Sequence, residues 1–66
     1  MHVTVNGTDE DVETGITVAA LVRARTEEQR RVAVALNGDV VPRSAWDATH
    51  LSEGDRVEVL VPVAGG

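Results

Sequence analysis

Sixty-six residues, 42% of them hydrophobic, suit one small folded domain rather than a disordered tail, and the absence of cysteine excludes disulfides and thiolate zinc sites. Eleven acidic residues against six basic ones give a net charge of −5, which argues against binding a nucleic-acid backbone or an anionic membrane surface. A core this small seldom supplies more than ~3–5 kcal/mol, so stability should be modest and sensitive to core truncation.

In chain order, Val3 and Val5 alternate with His2 and Thr4, and Asn6-Gly7 offers the two positive-φ positions of a tight hairpin. The return strand, about Thr8 to Glu13, has Val12 as its one large apolar residue and reads as a solvated edge. Its acidic residues Asp9, Glu10, Asp11 and Glu13 do not follow a calcium-loop pattern and read as a solvated face. Gly15 ends the hairpin. Thr17 is a good helix N-cap, with Ile16 and Leu21 spaced for a hydrophobic staple. Val18, Leu21 and Val22 share one helical face, but Arg25 stands where that stripe needs an apolar residue. The helix is therefore expected to end near Ala24, or to bury only the aliphatic stem of Arg25. Thr26 and Gln29 have capping-box spacing that permits a further turn before Arg31, and the Arg30-Arg31 pair reads as solvated loop.

Val32, Val34 and Leu36 alternate with Ala33 and Ala35, which predicts a central strand with one smooth face. Asn37-Gly38-Asp39 turns the chain into a short strand at Val40-Val41 that Pro42 ends or confines to an edge. Ser44 is a candidate cap for a brief turn containing Trp46, whose large apolar area suits a plug over one end of the core. His2 and His50 lack metal-ligand spacing and read as surface or turn residues. Leu51 anchors a loop, Glu53-Gly54-Asp55 makes a turn, and Val57, Val59 and Val61 are expected on one face of a last strand.

This order predicts an α+β domain: a mixed sheet of four to five strands with one helix packed across one face. The other face is left open. Alternation puts Glu58 and Leu60, with Ala33 and Ala35, on that open face, where they form either a flat partner-docking patch or a scatter of ordinary surface groups. The chain is read as one domain over residues 1–66, with 62–66 as an extended flexible tail. No apolar stretch is long enough to span a bilayer, and Met-His-Val-Thr-Val lacks the basic start of a signal peptide. A cytoplasmic protein that binds neither nucleic acid nor membrane is the expectation.

The sequence closes on Val63-Ala64-Gly65-Gly66. Two glycines together at an end arise by chance in roughly one chain in two hundred, so the pair is suggestive and not decisive. Without Cβ such residues can lie extended in a narrow channel and present a carboxylate to a bound nucleotide. From Pro62 onward an extended chain reaches at most roughly 17 Å at ~3.4 Å per residue, enough to enter a partner's active site. A frayed terminus is the alternative. Lacking cysteine, the chain forms no persulfide or thioester of its own, so sulfur or acyl chemistry at Gly66 needs an external donor. All six basic residues are arginine, so no lysine is available for isopeptide chains.

Several segments together resemble the bacterial sulfur carriers of thiamine biosynthesis, the ThiS type, within the ubiquitin-like β-grasp proteins. They are Val5-Asn6-Gly7, Thr17-Val18-Ala19-Ala20-Leu21, Val32-Ala33-Val34-Ala35-Leu36-Asn37-Gly38, Val40-Val41-Pro42-Arg43-Ser44-Ala45-Trp46, Leu51-Ser52-Glu53-Gly54-Asp55 and the closing diglycine. The Val-Val-Pro-Arg-Ser-x-Trp run is the most telling, because a bare β-grasp fold does not require it. Arg25 and the polar Thr26 to Arg31 connection depart from the pattern.

The resemblance implies a carrier and not an enzyme, with no cofactor bound by this chain. A ubiquitin-activating-type adenylyltransferase would use ATP and magnesium to adenylate the Gly66 carboxylate, with Val63, Ala64 and Gly65 threading its active site. Sulfur from a cysteine desulfurase, relayed as a persulfide, would displace AMP and leave a thiocarboxylate that serves thiazole synthase. Alternatives are the small subunit of molybdopterin synthase, a ubiquitin-like protein modifier, and a plain β-grasp interaction module. The short chain, its lack of phenylalanine and the Val-Val-Pro-Arg-Ser-x-Trp run stand against the molybdopterin subunit.

Overall fold

The computed structural model describes residues 1–27 and 30–61. Its first hairpin forms for the local reason expected: Asn6 at φ 50° and Gly7 at φ 81° supply both left-handed positions of a two-residue turn between β1 (His2–Val5) and β2 (Thr8–Asp11). Val3 and Val5 point into the core, whereas β2 is almost wholly exposed and forms one edge of the sheet. A second turn of the same kind, Asn37 at φ 50° and Gly38 at φ 89°, joins β3 (Ala33–Leu36) to β4 (Asp39–Val40).

The last strand, β5 (Arg56–Leu60), unites the two hairpins. It runs parallel to β1 and antiparallel to β3, which gives the order β2-β1-β5-β3-β4 and a mixed five-stranded sheet. β3, expected as a central strand, does have neighbours on both sides, but the middle of the sheet is β5. A parallel pair needs a crossover between its strands, and the helix α1 (Val18–Arg25) lies within that connection.

α1 starts where its cap says it should, with the Thr17 hydroxyl oxygen accepting a hydrogen bond from the Ala20 N–H at 3.1 Å. Its inward residues Val18, Ala19, Leu21 and Val22 pack with Val3, Val5, Val34, Val57 and Val59 into one core, each valine or leucine contributing about 1.5–3 kcal/mol relative to exposure. The helix reaches Arg25, the second of the two expected outcomes, and closes when the Thr26 N–H donates to the Val22 carbonyl at 3.0 Å. Arg25 is tolerated in the stripe because its guanidinium reaches Glu10 on β2, with the arginine side chain 29% exposed. Gln29, half of the second capping pair, lies outside the described residues.

Trp46 closes one end of the core. It is buried, its indole N–H donates to the Val41 carbonyl at 3.0 Å, and the Arg43 guanidinium lies over the ring at 4.8 Å from the centroid. The turn leading to it is a 3₁₀ helix over Arg43–Ala45. Ser44, expected to cap that turn, instead lies inside it: Pro42, whose ring fixes φ at −63°, occupies the cap position, and its carbonyl accepts from the Ala45 N–H at 2.8 Å. Beyond it, the loop carrying Thr49 to Leu51 is tied to the start of α1. The Val18 N–H donates to Thr49, the Leu51 N–H donates to Ile16, and His50 Nδ1 lies 2.9 Å from the Gly15 carbonyl. Leu51 is buried beneath that loop as an anchor.

Candidate functional site

β5 is the last strand before residues 62–66, and its alternation decides which of its residues face the core and which face outward. Strand alternation turns Val57 and Val59 inward and Arg56, Glu58 and Leu60 outward. Val61, expected to share the inner face, is 43% exposed and lies beyond the strand. The pairing of β3 with β5 ends at Ala33 opposite Leu60, which leaves Val61 no ladder partner.

Four outward residues expected to share the open face are brought together by register: Ala33 is opposite Leu60, and Ala35 is opposite Glu58. Val40 joins them from the far side, because it pairs with Ala35 across the second Asn-Gly turn. These side chains, with Asn6, line a shallow depression of about 280 Å³ on the sheet face away from α1. Leu60 is 72% exposed and Val40 78%. Two large apolar groups thus stand exposed over a floor of alanines. A more polar depression beside it, lined by Thr4, Asn6, Gly7, Gly38, Arg56 and Glu58, continues the same face toward the two turns.

Sequence reasoning missed two members of this site. Val40 was recoverable: a two-residue Asn37-Gly38 turn puts Asp39 opposite Leu36 and therefore Val40 opposite Ala35. The sequence marks Asn6 as a turn residue, and it also clamps β5. Its side-chain N–H donates to the Val59 carbonyl at 3.0 Å, and its side-chain oxygen accepts from the Val59 N–H at 2.7 Å. Nothing local in the sequence signals a bond across 53 positions.

Val63, Ala64, Gly65 and Gly66, the proposed tail and reactive end, lie outside the described residues. Among the described residues, no group of three or more histidine, aspartate or glutamate side chains is arranged to hold a metal ion, and no helix is long and apolar enough to cross a membrane.

Comparison with known proteins agrees with this geometry. The ThiS family profile matches residues 3–66. A thiazole synthase of Paramagnetospirillum magneticum is 30% identical over 66 residues, all of this chain but only 20% of that protein. The sulfur carrier protein ThiS of Escherichia coli is 33% identical over 52 residues, 79% of each chain. Among solved structures, the crystal structure of the thiamine biosynthesis protein ThiS from Geobacter metallireducens superposes with a TM-score of 0.84 at 39% identity, covering 100% of both chains. The solution structure of a thiamine biosynthesis protein from the same organism gives 0.84 and 39%, covering 100% of this chain and 88% of that one. With its mixed five-stranded sheet, one α-helix among the described residues and a profile match running to Gly66, the chain belongs to the ThiS family, a ubiquitin-like β-grasp fold.

Proposed function

We propose that this chain is a sulfur carrier of thiamine biosynthesis whose Gly66 carboxylate is the group that reacts. The observation that carries the reading is the family match, which extends through the diglycine to Gly66. Residues 62–66 act as a tail that enters partner active sites, and the open face around Ala33, Ala35, Glu58 and Leu60, with Val40, docks the folded body.

A carboxylate is a poor electrophile. A partner adenylyltransferase of the ubiquitin-activating type corrects this by attacking the ATP α-phosphate with a Gly66 oxygen, releasing pyrophosphate and forming an acyl adenylate, with magnesium held by that partner. A persulfide supplied through a cysteine desulfurase then attacks the acyl carbon and expels AMP. Reductive cleavage of the acyl disulfide by a thiol leaves the thiocarboxylate, a softer nucleophile than carboxylate oxygen. The carrier contributes a positioned substrate and no catalytic side chain, and it holds no cysteine that could compete as acyl acceptor. Thiazole synthase is the proposed sulfur acceptor. The similarity of this chain to one fifth of a protein named thiazole synthase supports that pairing. A cytoplasmic location, where ATP and the desulfurase are available, is part of the same proposal.

Intact mass spectrometry tests the reading. After incubation with the activating partner, ATP, magnesium, a desulfurase, cysteine and a thiol reductant, the mass should rise by the exchange of one oxygen for sulfur at the terminus. Deleting Gly66 should abolish the change without altering the thermal unfolding midpoint. An unmodified wild-type mass with a competent partner would leave a plain interaction module, and amide-linked products would indicate a protein modifier.

A further inference from the structure

We propose that Asn6 is a positioning residue for the reaction at Gly66, acting through β5; this rests on the carrier reading above. β1 pairs with β5 at only two positions, Thr4 opposite Arg56 and Val5 opposite Val57. The Asn6 N–H extends that ladder by one bond, to the Val57 carbonyl at 2.9 Å, and the chain then turns away at φ 50°. Further along β5, Val59 would have neither β1-side group paired. The Asn6 side chain supplies both missing partners, donating to the Val59 carbonyl and accepting from its N–H. A side-chain amide thus does the work of a further residue of β1, at the last inward residue of β5.

Position explains why this clamp concerns the reaction. Only Leu60 and Val61 separate Val59 from the segment 62–66, and Asn6 lines the docking depression together with Leu60 and Val40. The clamp therefore fixes the point at which the chain leaves the sheet relative to the face that docks. A slip of one residue would move that point by about 3.4 Å, and misplacement by about 1 Å can cost 10²-fold in rate.

Asn37 provides a matched control within the same molecule. It has the same φ of 50°, precedes a glycine, and also bonds to β5, but at the opposite end. Its side-chain oxygen accepts from the Arg56 N–H at 2.9 Å and its side-chain N–H donates to Asp55 at 3.1 Å.

The experiment compares Asn6→Gly with Asn37→Gly in the full chain. Glycine accepts positive φ, so each substitution removes the amide without forcing the turn. Unfolding midpoints give the structural cost, and pyrophosphate release with the activating partner gives kcat and KM for the carrier. Asn6→Gly should lower kcat about tenfold or more, a loss larger than any rise in KM from its place in the docking depression; Asn37→Gly should stay within about twofold on both. Asn6→Asp, which retains the acceptor for the Val59 N–H but sets a carboxylate oxygen against the Val59 carbonyl, should lower kcat at least as far as Asn6→Gly, and it serves as the test variant if Asn6→Gly does not fold. Wild-type kcat in folded Asn6→Gly, or in Asn6→Asp where that variant stands in, overturns the assignment, as does an equal kcat loss in Asn37→Gly. A wild-type chain that is never adenylated overturns the carrier reading and the assignment with it.

Discussion

β5 shows two chemistries on alternate residues of one strand. Its inner face, Val57 and Val59, lies against α1 and is sealed, at 1% and 4% exposure. Its outer face carries Arg56, Glu58 and Leu60, none of which has a structural element over it among the described residues. A period of two lets neighbouring residues on one backbone answer to different demands, cohesion on the inner side and contact with the surroundings on the outer. If the outer face docks a partner as proposed, stability and docking are separated on this strand, and substitutions on each face should give opposite profiles.

The largest expected effect is on the sealed side. Val57→Ala removes two carbons worth about 0.8 kcal/mol each, and the residual cavity brings the loss to about 2–3 kcal/mol. Against a total of ~3–5 kcal/mol, this should lower the urea midpoint by roughly half or more. Partner affinity, measured on the fraction that remains folded, should be unchanged. Leu60→Asp should do the reverse. At an exposed position the stability change should stay within about 0.5 kcal/mol, whereas titration calorimetry with the activating partner should show affinity reduced about tenfold or more. If Leu60→Asp unfolds the domain, or Val57→Ala weakens docking of folded protein as much as Leu60→Asp does, the two faces are not separate and the comparison fails.

The same distinction explains what could be read from sequence. Features set within a few residues were legible: both Asn-Gly turns, the Thr17 cap, the alternation of Val32, Val34 and Leu36, and the outward placement of Ala33, Ala35, Glu58 and Leu60. Features decided by where two distant strands stop pairing were not. Val61 follows the inward alternation in sequence but outlasts its partner on β3, and Asn6 acquires its role only when β5 arrives beside β1. Ser44 failed for a third reason, a neighbouring proline that takes the cap position by its fixed φ. The diglycine was legible as a motif because its signal is composition and place, which need no tertiary contact.

The smallest predicted effect lies off both faces, at the acidic edge. Asp11 on β2 accepts a hydrogen bond from the N-terminal ammonium of Met1 at 3.1 Å, and this contact, reinforced by the charge itself and by His2, holds its carboxyl below the ordinary value of 3.8. A carboxyl whose pKa is lower in the folded than in the unfolded chain binds protons more readily when unfolded. Its stabilising contribution is therefore complete above 3.8 and is lost as pH falls through the lower folded value. Because the group is fully exposed, solvent and salt screen the contribution to a small one. Asp11→Asn should accordingly unfold slightly earlier than wild type at neutral pH, with the two midpoints converging under acid and in high salt. The same variant asks whether charge or apolar shape guides docking. At physiological ionic strength charges are screened beyond about 8 Å, so removing one edge carboxylate should leave the association rate with the activating partner unchanged. A clear, salt-sensitive change in that rate would mean that the acidic edge shares in recognition, and that the outer face of β5 does not act alone.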